Sequence, residues 1–259
     1  MQVAKANGID LAYVESGAGE PLILMHGGNS DRRQYDVFRP LLGEGIRAIA
    51  YDQRDSPDSP CPDASPYTVE DHARDAAEFI SALGLEQAHV MGVSYGGIVA
   101  LNLACLFPER MKSLIIGAST PVRDGIRAAD PGSIREQGHA AIERFMLSQA
   151  MTPEAIDTDP QLVAELRAAL CDRAPDSFNR RIAAMADHDV RDRLAGIRMP
   201  TLVLHGEHDP LISVETGRQM AEQIPGARFQ LLEGSRHAIT LQYRQRTAEF
   251  VRRFVLENA

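Results

Sequence analysis

Short runs of consecutive apolar residues recur along the chain, and they constrain its fold more than any other feature. They lie at 22–25, 46–51, 89–93, 114–116, 202–204 and 229–232. Runs that are apolar at successive positions, without alternation, are typical of strands buried on both faces. The sequence therefore predicts a largely parallel sheet that is covered on both sides.

Helical patterns lie between several of these runs. In the clearest, at 68–83, apolar side chains recur every three or four positions, and Thr68 with Asp71 resembles a variant capping box. Similar patterns predict helices at 214–224 and 243–257. Strands that alternate with helices predict a doubly wound α/β sheet.

Two parts of the chain depart from this alternation. Residues 2–15 alternate around Asn7-Gly8, which suits a type I′ turn, so we expect an antiparallel hairpin at the sheet edge. Residues 121–196 contain no good strand candidate. Helix-compatible stretches lie instead at 140–150, 162–170 and 178–185. We therefore expect one core domain, formed by 1–120 and 197–259, with an inserted helical cap at 121–196.

The segment Gly92-Val93-Ser94-Tyr95-Gly96 lies between the predicted strand 89–93 and a small-residue helix at 98–106. A G-x-S-x-G segment is specific only in this strand-turn-helix context. The serine needs a strained backbone, which is tolerated when the residues two before and two after it are glycines. The sequence thus predicts Ser94 as a nucleophile.

A serine nucleophile needs a base, usually a histidine that a carboxylate orients. His237 follows the last predicted strand and Asp209 follows the strand at 202–204, so both are expected at the carboxyl edge of the sheet with Ser94. Glu207 is the competing carboxylate. His205 and His208 beside it do not form a recognised metal-ligand spacing, so we expect no metal site.

These segments, taken together, resemble the α/β-hydrolase family over nearly the whole chain. The order Ser94, Asp209, His237 is that of its catalytic triad, and His26-Gly27-Gly28 resembles its oxyanion loop. The resemblance implies a mostly parallel sheet of about eight strands with a helical cap. It also implies that the backbone amides of Gly28 and Tyr95 form the oxyanion hole, and that His26 has a structural role.

One segment departs from the family pattern. Asp52-Gln53-Arg54 resembles its D-x-R segment, but the family commonly continues with two glycines, where this chain has Asp55 and Pro57. Without those glycines the backbone does not have the same freedom, so the resemblance does not fix the shape of this loop or of the pocket rim.

Composition narrows the classes of partner. A net charge of −9 argues against binding to nucleic acid or anionic membranes and leaves a small-molecule substrate. Three unpaired cysteines and the lack of a signal peptide or membrane span predict a cytoplasmic protein. Oligomeric state is not fixed by the sequence, with a homodimer as one alternative.

The family resemblance implies a hydrolase that needs no cofactor, and ester or lactone hydrolysis is the favoured activity. Carbon–carbon hydrolysis of ring-cleavage products and cofactor-free perhydrolysis stay open, because those branches share the motifs. A small-molecule receptor that retains the triad is the alternative outside enzymes.

Overall fold

In the computed structural model, which describes residues 1–126 and 139–259, an eight-stranded sheet forms the centre of the molecule. The strands are β1 (Gln2–Ala6), β2 (Ile9–Ser16), β3 (Gly19–Met25), β4 (Gly45–Tyr51), β5 (Ala88–Val93), β6 (Met111–Gly117), β7 (Thr201–Gly206) and β8 (Arg228–Leu232). Their order in the sheet is β1-β2-β4-β3-β5-β6-β7-β8. Strands β3 to β8 pair in parallel, whereas β1 and β2 are antiparallel to their neighbours. The predicted sheet and N-terminal hairpin are confirmed.

Helices flank the sheet or lie between β6 and β7. They are α1 (Val69–Ala82), α2 (Tyr95–Leu106), α3 (His139–Ala150), α4 (Pro153–Thr158), α5 (Pro160–Ala169), α6 (Pro175–Ala183), α7 (Val214–Gln223) and α8 (Arg244–Glu257). Thr68 caps α1 in a complete capping box with Asp71, as its sequence predicts. Helix α2 begins three residues before the predicted start, directly after Ser94, and α4 is a helix that the sequence did not indicate.

Apolar side chains cover both faces of the sheet. One layer packs α1, α2 and α7 against it, with Tyr51 and Phe79 stacked at a ring-centroid distance of 4.6 Å. The other packs α8 and the segment around Tyr35 and Phe38 against the opposite face. Burial on both faces explains why the central strands read as continuous apolar runs.

The chain between β6 and β7 contains helices α3 to α6 and, among its described residues, no strand longer than an isolated bridge. Leu147, Met151, Leu162 and Leu166 form a small apolar cluster there with Leu241 of the core. The division into a core and a cap at 121–196 stays a prediction, and residues 127–138 of that cap lie outside the described part. None of the described helices has the length and apolar character needed to cross a membrane.

Candidate active site

Ser94 occupies the sharp turn between β5 and α2. Its backbone has φ 55° and ψ −120°, a strained conformation for a residue with a side chain. A Cβ atom on Gly92 would lie 2.1 Å from the carbonyl oxygen of Gly96, and one on Gly96 would lie 2.1 Å from that of Met25. Both glycines are therefore required by close backbone approach, and the turn holds Ser94 above the sheet.

Asp209 and His237 are in direct contact. The carboxylate Oδ2 of Asp209 lies 2.7 Å from Nδ1 of His237, and its Oδ1 accepts the amides of Leu211 and Ile212 at 2.9 and 3.1 Å. Burial opposes ionisation of Asp209, but the charge and hydrogen bond of His237 outweigh it, so the pKa of the carboxyl lies below its usual value. Asp209 is thus an ionised acceptor that fixes the orientation of the imidazole.

The loop that carries His237 is held from two sides. The amides of His237 and Ala238 donate to the carbonyl oxygens of Gln149 and Ala150, at the end of α3, over 3.3 and 3.1 Å. On the other side, His205 lies fully buried beside Asp209, with its Nε2 3.0 Å from the carbonyl oxygen of Ile212 and 3.6 Å from Oδ2. Burial lowers the pKa of His205, which favours a neutral ring.

Ser94 and His237 line the same cavity, together with Gly28 and Tyr95. Within the described residues, no hydrogen bond joins the Ser94 hydroxyl to the His237 ring. Such contacts often tighten only when a substrate binds. The structure therefore brings the five predicted site residues to one place, with Asp209 as the outer member behind His237.

Gly28 and Tyr95 are neighbours in the cavity lining. A Cβ atom on Gly28 would lie 3.7 Å from the Cβ of Tyr95, so the two backbones are neighbours. Neither amide donates to a protein acceptor in the described residues, whereas the amide of Gly27 is used by Gln34 at 2.8 Å. Two free amides, one of them at the N-terminus of α2, form a site suited to an anionic oxygen.

His26 is enclosed behind this loop. Its Nδ1 lies 2.8 Å from the carbonyl oxygen of Gly27, and its Nε2 accepts the amide of Gln53 at 3.2 Å. Burial, followed by the charges of Arg181 and Arg173, lowers the pKa of His26 well below its usual value. A neutral ring with both nitrogens engaged supports the loop and is not available to a substrate.

The loop that departs from the family pattern contacts the chain between β6 and β7. Asp55 has φ 63°, so it adopts the left-handed region without a glycine. Its carboxylate pairs with Arg180 at 2.8 and 2.9 Å. We refer to Arg173, Arg180 and Arg181 as the arginine cluster.

Sequence reasoning missed the arginine cluster and Gln34. Arg173 donates to the carbonyl oxygens of Gly28 and Ser30 at 2.9 Å each, and so ties the candidate oxyanion loop to the segment after α5. Gln34 joins Gly27 to Thr240 of the His237 loop. No local signal marks the three arginines, because charged side chains between β6 and β7 resemble a solvated surface.

Three other histidines do not line the cavity. His89 lies in β5 against Ser113, His188 contacts Asn102 and the carbonyl oxygen of Thr120, and His208 is exposed. Within 1–126 and 139–259, no three histidine, cysteine or acidic side chains are grouped as a metal ion would require.

The cavity above Ser94 has a volume of about 150 Å³ and walls that are mainly aliphatic or aromatic. Its described lining contains no Asp, Glu, Lys or Arg. Helices α3, α5 and α6 supply Ile142, Phe145, Met146, Leu166, Phe178 and Ile182 to this lining. The chain between β6 and β7 therefore forms much of the wall around the candidate nucleophile.

Comparison with known proteins finds relatives among the hydrolases. The chain is 31% identical over 190 residues to 3-oxoadipate enol-lactonase 2 of Acinetobacter baylyi, covering 72% of this chain and 70% of that protein. It is 30% identical over 256 residues to the pimeloyl-[acyl-carrier protein] methyl ester esterase of Aeromonas hydrophila, covering 92% and 96%. The enol-lactonase structure from Burkholderia xenovorans superimposes with a TM-score of 0.88 at 23% identity, covering 98% and 100%, and so shares the fold.

The family model that matches is that of the alpha/beta hydrolase family, over residues 22–251, which is most of the chain. The relatives are hydrolases, and the matched region contains every candidate site residue. The chain is a hydrolase and belongs to the α/β-hydrolase family.

Proposed function

We propose that this protein is a serine hydrolase that cleaves a carboxylic ester or lactone of a small, uncharged organic substrate. The observation that carries the proposal is the 2.7 Å contact of Asp209 with His237. His237 lines the same cavity as Ser94, Gly28 and Tyr95. The named activities of the two relatives, a lactonase and a methyl ester esterase, support an ester bond as the target.

In the proposed mechanism, Ser94 attacks the carbonyl carbon and His237 accepts the hydroxyl proton. Asp209 stabilises the resulting imidazolium, and the amides of Gly28 and Tyr95 hold the negative oxygen of the tetrahedral intermediate. His237 then protonates the leaving alcohol. Water, activated by the same histidine, attacks the acyl-enzyme and releases the carboxylic acid.

The cavity favours an uncharged and compact acyl group. A carboxylate buried without a cationic partner costs several kcal/mol, and the described lining offers no Lys or Arg to receive one. A cavity of about 150 Å³ is of the size that holds a benzene-like ligand. We therefore expect short aliphatic or aromatic acyl groups to be preferred over acyl groups that carry a second carboxylate.

The test is hydrolysis of p-nitrophenyl butyrate, benzoate and hemisuccinate by the wild type, Ser94→Ala and the exposed control Ser65→Ala. The wild type and Ser65→Ala should hydrolyse the first two with similar rates and the hemisuccinate at least about tenfold more slowly. Ser94→Ala should lose about 10³-fold or more in kcat. Full activity of Ser94→Ala would contradict the proposed nucleophile.

Labelling with a fluorophosphonate separates the enzyme from a receptor that retains the triad. An enzyme should be labelled rapidly and stoichiometrically on Ser94, with an initial burst of p-nitrophenol. Slow labelling with negligible turnover on the esters, a lactone and a ring-fission dienone would support the receptor. Turnover confined to the dienone would replace ester hydrolysis by carbon–carbon bond hydrolysis.

A further inference from the structure

Arg181 lies in α6, yet its side chain is fully buried behind the candidate oxyanion hole. Its guanidinium carbon is 3.9 Å from the centroid of the Tyr95 ring. Tyr95 follows Ser94 directly, and its amide is one of the two candidate donors to the oxyanion. The guanidinium of Arg181, from the segment between β6 and β7, therefore packs against the ring of Tyr95, a candidate site residue.

Among residues 1–126 and 139–259, no carboxylate pairs with Arg181. Nη2 donates to Oε1 of Gln53 at 2.8 Å, while Nε and Nη1 have no acceptor among the described residues. Two nearby arginines do have carboxylate partners. Arg180 pairs with Asp55, and Arg54 pairs with Asp75 at 2.5 and 2.6 Å. An unneutralised buried cation is costly, and an apolar residue of similar size would fill the same space without that cost.

Arg181 also connects to the other candidate donor. The side-chain amide of Gln53 donates to the carbonyl oxygen of His26 at 2.9 Å, and its backbone amide donates to the ring of the same residue. His26 begins the segment that ends in Gly28. Arg181 thus touches Tyr95 on one side and, through Gln53, supports the loop of Gly28 on the other.

We propose that Arg181 is a positioning residue for the oxyanion hole, and that its buried charge stabilises the negative oxygen of the tetrahedral intermediate. The inference rests on the proposed function. In a site from which water is excluded, a fixed cation behind the donor amides interacts favourably with the oxyanion. The oxyanion carries its negative charge only in the transition state and the tetrahedral intermediate. The cost of burying Arg181 is then offset at the moment when the oxyanion forms, so the residue contributes to kcat more than to substrate binding.

The experiment compares Arg181→Lys, which keeps a cation, with Arg181→Met and Arg181→Gln, which remove it, in the full-length protein. For each variant we would measure kcat and KM on p-nitrophenyl butyrate and the thermal unfolding midpoint. We would also measure the inhibition constant of a phenylboronic acid, which forms an anionic tetrahedral adduct with a serine hydroxyl. Arg191→Met, at an exposed arginine outside the site, is the matched control.

We expect both uncharged variants to lose about 10- to 100-fold in kcat and a similar factor in boronic acid affinity, with KM changed by less than about threefold. Arg181→Lys should retain kcat within about fivefold. Equal losses in the lysine and uncharged variants, or unchanged kcat and boronic acid affinity in Arg181→Gln or Arg181→Met, would overturn the inference. If both uncharged variants fail to fold, kcat and boronic acid affinity within about fivefold of the wild type in Arg181→Lys would support the inference, and larger losses there would overturn it.

The outcome is separable from that of the proposed function. If Ser94→Ala abolishes hydrolysis and the Arg181 variants match the wild type, only the role of Arg181 fails. If the wild type shows neither labelling of Ser94 nor turnover, the proposed function fails first.

Discussion

Two regions support the candidate oxyanion hole, and they are built in opposite ways. The turn at 92–96 is made from backbone: two glycines, a strained serine and the first amide of α2, all within five consecutive residues. The arginine cluster is made from long side chains that cross more than 100 residues of sequence to reach Gly28, Gln53 and Asp55. The first region is local and apolar, and the second is long-range and charged.

This difference indicates how the two regions tolerate change. A backbone turn that is closed by atomic contact fails when a single methyl group is added, because the neighbouring carbonyl oxygens belong to the backbones of α2 and β3. A side-chain contact fails by leaving a buried charge or polar group without its partner. The cluster also depends on how the segment between β6 and β7 packs, whereas the turn depends only on β3, β5 and α2.

The largest expected effect is at Gly96. In Gly96→Ala the new Cβ would lie 2.1 Å from the carbonyl oxygen of Met25, so β3 and the oxyanion loop after it must move. We expect a loss of about 3 kcal/mol or more in unfolding free energy and at least tenfold in kcat. Gly196→Ala, where no atom lies within 4 Å of the new Cβ, is the matched control and should leave both unchanged. Urea unfolding and ester hydrolysis check the pair, and a wild-type-like Gly96→Ala would break the view that backbone contact closes the turn.

An intermediate effect is expected at Arg180. Its removal in Arg180→Ala leaves the carboxylate of Asp55, which is 1% exposed, without the bidentate partner. Since Arg180 itself is partly in solvent, we expect a loss of about 1 to 3 kcal/mol in stability, below the value for a fully buried pair. The exposed pair of Arg191 with Asp189 has similar geometry, and Arg191→Ala should not change the unfolding midpoint measurably. Equal losses of stability in the two variants would show that burial of the Asp55 carboxylate does not make its ion pair more important than an exposed one.

The smallest effect concerns acid stability. His72 of α1 is buried with its ring against Tyr95, and burial, followed by the charge of Arg181, lowers its pKa well below the usual value. The unfolded chain binds a proton at this residue below about pH 6.5, while the folded protein does not, so acid destabilises the fold. His72→Phe should reduce the slope of stability against pH, between about pH 5 and 6.5, by up to about 1.4 kcal/mol per unit. Urea unfolding across that range measures the slope, and an unchanged slope would argue against a neutral buried His72.

Much of the fold could be predicted from local pattern. The apolar runs, the Asn7-Gly8 turn and the Thr68 cap each report a constraint that acts within a few residues, and each predicted element is present. Helix α4 was missed because it spans only Pro153–Thr158, too short for an apolar period to register. The start of α2 was placed late because its first turn is Tyr95 and two glycines, residues that favour helix weakly on their own.

Part of the candidate site could also be predicted from local pattern, and part could not. Ser94, Asp209 and His237 could be proposed because each follows a strand, and the carboxyl ends of parallel strands meet at one edge. The loop at Asp55 could not be predicted, because its left-handed backbone and the ion pair of its carboxylate with Arg180 depend on packing against a distant segment.

The sequence by itself determined the sheet, the turn that carries Ser94 and the order of the candidate nucleophile, acid and base, because these depend on side-chain periodicity, glycine and strand ends. Only the tertiary structure decided which residues between β6 and β7 surround the cavity, and that Arg181 lies against Tyr95 with no carboxylate partner among the described residues. The physical reason is that burial of a charge is a property of the packed chain: Arg181 and the exposed Arg191 differ in environment, and nothing in their neighbouring sequence distinguishes them.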